Sequence, residues 1–188
     1  MERGRLALVL AGCVVLLLSL TSCGRPVPPP TRIPEELAQQ ISDTYERMIL
    51  ILGNAVVLRE AAELEESGEL ADWERVALLI ALMARMQEVE DSLPGFVPPE
   101  GLEDFWDDMI FVHMWTRLVP VGWLRMGFLS TAVMDEMKPM AEFTAETVAE
   151  VERNMVERFG FDAALLAERR QEAVGRAVRL LEFPEFEP

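Results

Sequence analysis

Two uncharged stretches decide the fold: Met48-Ile-Leu-Ile-Leu-Gly-Asn54-Ala-Val-Val-Leu58 and Val76-Ala-Leu-Leu-Ile80-Ala-Leu-Met-Ala84. Asn54 is the one strongly polar side chain in the pair. Each run continues a helical stripe. Leu37, Ile41, Tyr45, Met48, Leu52 and Val56 recur at three- and four-residue spacing, and so do Leu70, Trp73, Val76, Ala77, Ile80, Met83 and Met86. The first spacing predicts a helix over 35–66 and the second a helix over 69–92, with the named stripes as their buried faces. A helix that is apolar all round needs cover on every side. Ser67-Gly68 between them reads as a tight turn, which makes an antiparallel hairpin. Folding there sets residues whose numbers sum to about 135 at one level, with Arg47 near Glu88 and Glu60 near Arg75.

The same reasoning extends along the chain. A loop holds Pro98 and Pro99. A third helix is expected over 102–119, with Glu103, Asp104, Asp107 and Asp108 at its N-terminal, dipole-favoured end. Pro120 is expected to end or kink it, leaving a short fourth helix over 121–137. Pro139 opens a fifth helix to 159, with Met140, Phe143, Thr147, Val151, Met155 and Phe159 inward. Gly160 reads as a C′ residue and Asp162 as the cap of a sixth helix to 182, stapled by Phe161 and Leu166. That helix is expected to bury Leu165, Val174, Ala177, Val178 and Leu181. The fold class is all-α: a bundle of about six helices including two antiparallel helical hairpins, the first two helices and the last two. It occupies 35–182, and 183–188 form a Pro-containing tail expected to fray.

The first 34 residues read as an address. Arg3 and Arg5 precede an apolar run over 6–20, too short for a typical transmembrane helix of roughly 20 residues. The run ends in Leu20-Thr21-Ser22-Cys23, which resembles the lipobox of bacterial lipoproteins. The resemblance implies a lipoprotein signal peptide over 1–22, diacylglycerol on the Cys23 sulfur, cleavage before it, and acylation (palmitate, for example) of the new amino terminus. Leu10-Ala11-Gly12-Cys13 also fits the pattern, but cleavage there strands an apolar stretch in the mature protein. An uncleaved anchor helix is the third reading. Cleavage before Cys23 leaves 166 residues with 15 basic and 32 acidic side chains. All three readings place the bulk of the chain outside the cytoplasm, in the cell envelope. The anchor sits on the outer face of the cytoplasmic membrane, or on the outer membrane of a diderm host, which Gly24 favours. Segment 23–34 is the lipidated Cys followed by a tether rich in Pro, spanning up to about 30 Å as polyproline II.

Composition narrows function by exclusion. The 188 residues carry 33 acidic against 17 basic side chains, a formal charge of −16, which argues against a nucleic-acid partner. One His and two Cys exclude a zinc finger, a disulfide scaffold and a ferritin-type di-iron site with its two Glu-x-x-His motifs. No metal site or cofactor is expected: His113 reads as structural, and the Glu142, Glu146, Glu150 ladder as a solvated face. Glu66-Ser67 resembles the catalytic Glu-Ser of lytic transglycosylases, but their downstream Gly-Leu-Met-Gln block is absent. No catalytic motif is found, and the chain reads as a non-enzyme.

The segment between Phe105 and Met140 is richest in Trp and Met. Trp106, Met109, Trp115, Trp123, Met126 and Phe128 are the candidate apolar contact residues, with core packing as the plainer account. The expected function is a membrane-anchored, non-enzymatic binding, scaffold or accessory protein of the envelope. Its partners would be the membrane through Cys23, and a protein or a second copy. The alternative is a carrier or sensor that binds an apolar small molecule or lipid between helices around Trp106–Met140.

Overall fold

The computed structural model describes residues 33–183. The signal segment, Cys23, the tether up to residue 32 and the tail from 184 lie outside the described residues. The described chain is helical: α1 (Glu35–Ser67), α2 (Asp72–Asp91), α3 (Glu103–Met126), α4 (Thr131–Phe159) and α5 (Ala163–Val178), followed by a single 3-10 turn, Arg179–Leu181.

α1 is the central helix. All four other helices pack on it, α4 and α5 most extensively. From Met48 to Leu58 only Leu50 and Val56 retain partial exposure. The first apolar run is therefore covered all round, as its composition requires. Packing along α1 divides the core into two clusters. Ile41, Tyr45, Met48 and Leu52 meet Trp106, Met109, Val148, Val151 and Met155 in one. Val57, Leu58 and Ala61 meet Leu78, Leu79, Leu82, Met86, Trp123 and Met137 in the other. At Gly53 the close approach of α5 needs the missing side chain: a Cβ there would lie 3.0 Å from the Ala177 Cβ.

The helices number five where six were expected. Pro120 and Pro139 sit inside α3 and α4 instead of ending them. A proline removes one helical hydrogen bond and crowds the carbonyl four residues back. Burial of Val119, Pro120 and Trp123 outweighs that cost in α3. In α4, Pro139 is itself exposed, and the Asp135 carbonyl that loses its helical partner belongs to an exposed residue, so the missing bond is not buried in the core. The real break falls at Gly127, whose φ of 73° closes α3, with Ser130 as the next N-cap. The expected fourth helix is thus divided between α3 and α4.

The first hairpin forms, but one turn out of the expected register. Arg47 Nε donates to Ser92 Oγ at 3.1 Å, Arg85 Nε to Asn54 Oδ1 at 3.1 Å, and Arg75 pairs with Glu65 at 3.1 Å. Pairs at one level therefore sum to 139 or 140, a slide of about 6 Å along the axis. The cause is the connection. α2 begins at Asp72, not at residue 69, and Ala71 N–H is held by Glu74 Oε2 at 2.8 Å. Arg47–Glu88 and Glu60–Arg75 are accordingly not formed; Glu60 pairs with Arg59.

At the last connection Asp162 Oδ1 accepts from Ala164 and Leu165 N–H, as expected, and Phe161 packs against the core cluster that holds buried Leu166. α5 nevertheless lies mainly along α1 and only lightly on α4, so the terminal pair is a weak hairpin. Thr147, Val151, Met155 and Ala177 are buried as expected, and two residues of the expected inward faces are not. Phe143 and Leu165 are exposed, whereas Ala141, Thr144, Val148, Leu166 and Ala173 are buried. Phe183, the first residue of the expected tail, meets Trp73 edge-on at 5.6 Å.

Candidate contact surface

The second apolar run behaves differently from the first. Leu78, Leu79, Leu82, Met86 and Val89 enter the core. Trp73, Val76, Ile80 and Met83, expected inside, face outward, with Ile80 59% exposed. Both faces of α2 are apolar, so burying either satisfies the hydrophobic pattern. The register of α2 against α1 selects the Leu face.

α3 lies beside α2. Glu90, near the C-terminal end of α2, forms an ion pair with Arg117 and stands 3.8 Å from His113 Nε2. The solvent side of α3 carries Phe111, Met114 and Leu118, which are 61%, 63% and 71% exposed. Of the twelve exposed large apolar side chains among the described residues, ten fall between Trp73 and Phe128. Exposed apolar side chains grouped in this way make the outer sides of α2 and α3 the candidate contact surface. Its charge differs from that of the rest of the chain: between Met109 and Ser130 the charged side chains are Arg117 and Arg125, while Asp104, Asp107 and Asp108 crowd the N-terminal end of α3.

Beneath this surface His113 is buried, and neither ring nitrogen has a hydrogen-bond partner among the described residues. Burial lowers its pKa from the usual 6.5; Glu90 opposes the shift and Arg117 adds to it. Tyr45 anchors the far end of the core. Its hydroxyl lies 2.6 Å from Glu152 Oε1 and 2.8 Å from the Leu166 carbonyl, and Arg170 pairs with Glu152 at 3.2 Å. Burial, then the Glu152 carboxylate, push the Tyr45 pKa far up, so it is a fixed donor.

The six candidate contact residues do not share one surface. Trp106, Met109 and Trp123 are buried: Trp106 stacks at a tilt on Phe96 at 4.8 Å, and Trp123 fills the second cluster. Trp115 is half-buried. Met126 and Phe128 are exposed at the α3–α4 turn. The residues that sequence reasoning missed are Phe111, Met114 and Leu118, and the outward role of Val76, Ile80 and Met83. A signal for the α3 set was available: continuing the helix through Pro120 reveals a three- and four-residue repeat distinct from the buried face.

Glu142, Glu146 and Glu150 all face solvent. Among the described residues no group of three His, Cys, Asp or Glu side chains is placed to hold a metal ion, and no helix is long and apolar enough to cross a membrane. No family model, curated protein or solved structure matches the chain.

Proposed function

We propose that this chain is a lipid-anchored protein of the bacterial cell envelope that works by binding, with the solvent side of α2 and α3 as its contact surface. The observation that carries the binding role is the concentration of exposed apolar side chains on those two helices. The anchoring part rests on Leu20-Thr21-Ser22-Cys23 and the apolar run before it. A tether of about ten residues with five prolines then lets the body reach partners roughly 30 Å from the lipid. The acidic charge keeps that body off anionic headgroups. In this reading Trp106, Met109 and Trp123 are packing residues that hold α3 in place, and Met126 and Phe128 extend the surface at its end.

Metabolic labelling of the full chain with a fatty acid tests the anchor. Label is expected on the parent and on Cys13→Ser, and none on Cys23→Ser; label retained by Cys23→Ser and lost from Cys13→Ser refutes the assignment. The contact surface is tested by Ile80→Glu and Leu118→Glu. Both are expected to keep the melting temperature and to lose capture of binding partners from membrane extracts. Unchanged capture refutes the surface.

A further inference from the structure

The solvent side of α3 has an internal order that its apolar character alone does not explain. Asp107, Phe111, Met114, Leu118, Val121 and Arg125 recur at spacings of four, three, four, three and four residues. That repeat makes one straight seam along a helix. Val121 is half-buried and the other five are exposed. The seam begins with an acid, runs through four apolar side chains and ends with a base. Reversing its direction exchanges the acid with the base and leaves the apolar centre in place.

We propose that α3 pairs with α3 of a second copy of this chain, antiparallel, about a twofold axis between Met114 and Leu118. This rests on the reading of α2 and α3 as the contact surface and names its occupant. The twofold operation sets Met114 against Leu118 of the second copy, Phe111 against Val121, and Asp107 against Arg125, each twice. Neither Asp107 nor Arg125 has an ion-pair partner among the described residues of its own chain. A parallel pairing would set Asp107 on Asp107 and Arg125 on Arg125, so charge selects the antiparallel form. Gly122 lies beside Val121 and carries no side chain, and the space above it is open in the single chain. The pairing brings Phe111 of the second copy to this level, where the missing side chain leaves room for its ring. A bilayer is a poorer occupant, because Asp104, Asp107 and Asp108 at one end of the seam are repelled by anionic headgroups.

The test follows the mass of the full chain, purified from membranes in detergent, across a concentration series. The parent is expected to dimerise. Leu118→Glu is expected to weaken the dimer about a hundredfold, as loss of a central anchor does. Asp107→Arg and Arg125→Asp are each expected to weaken it about tenfold, and the double charge exchange to restore it. At concentrations too low for association all four variants keep the parent melting curve, since the substituted side chains are exposed in the single chain. In membranes, a disulfide is expected between copies carrying Met114→Cys and copies carrying Leu118→Cys.

A dimer that the double exchange fails to rescue overturns the antiparallel pairing. A monomer at every concentration, with no disulfide in membranes, overturns the second copy as occupant. If Leu118→Glu then still abolishes capture of another protein or of phosphatidylcholine–phosphatidylglycerol vesicles, the contact surface stands and only its occupant was misassigned. If it changes neither, both readings fall.

Discussion

Leu79 and Ile80 are adjacent, nearly equal in size and opposite in fate, which makes them a sharp probe of the fold. Leu79 is fully buried in the second core cluster, whereas Ile80 is 59% exposed. Leu79→Ala removes three buried carbons at about 0.8 kcal/mol each, or about 2.4 kcal/mol of transfer free energy. The cavity left behind raises the cost to about 3 kcal/mol or more. Ile80→Ala removes the same number of carbons, but only about two-fifths of that surface is buried, so its transfer loss is about 1 kcal/mol. Water fills the space, and the better helix propensity of alanine returns about 0.4 kcal/mol. The net cost is then about 0.5 kcal/mol. Urea unfolding followed by circular dichroism, at concentrations too low for association, separates the two. The midpoint should fall sharply for Leu79→Ala and barely for Ile80→Ala, at unchanged slope. Equal costs, or the reverse order, would refute the orientation of α2 and with it the contact surface.

Other perturbations address the remaining supports of the fold. Gly53→Leu forces α1 and α5 apart at Ala177 and is expected to cost about 2 kcal/mol in thermal melts; a neutral effect would show that the two helices do not touch there. Pro139→Ala, at an exposed position inside α4, restores a hydrogen bond and should stabilise by about 1–3 kcal/mol, so a loss would mean that the proline ring itself supports the packing of α4. Asn54→Ala removes the acceptor of the partly buried Arg85 and should cost about 2 kcal/mol, much of it recovered in Asn54→Ala/Arg85→Met. The lowered pKa of His113 means that the unfolded chain binds its proton first as pH falls through 6.5. Stability should therefore be full above that value and decline below it, and His113→Gln should flatten the decline between pH 6.5 and about 5, before carboxylates titrate. An unchanged pH profile would refute a buried neutral His113.

The amino-acid order determined a good deal by local physics. Helical periodicity sets the all-α class. Glycines at 68 and 160 and the aspartate at 162 end and begin helices where expected, because a positive φ or a side-chain acceptor is a property of a few neighbouring residues. The run from Met48 to Leu58 demanded cover on all sides and has it, because every face of that helix is apolar.

Three features were decided only by tertiary structure. The prolines at 120 and 139 are absorbed because neighbouring helices and water offset one lost hydrogen bond each, a balance that no local pattern contains. The hairpin register shifted by a turn because the start of α2 depends on how Leu70 packs and how Glu74 holds Ala71. The outward face of α2 was hidden for the deepest reason. Where both faces of a helix are apolar, its own pattern carries no inward direction, and packing on α1 chose Leu79 and left Ile80 exposed.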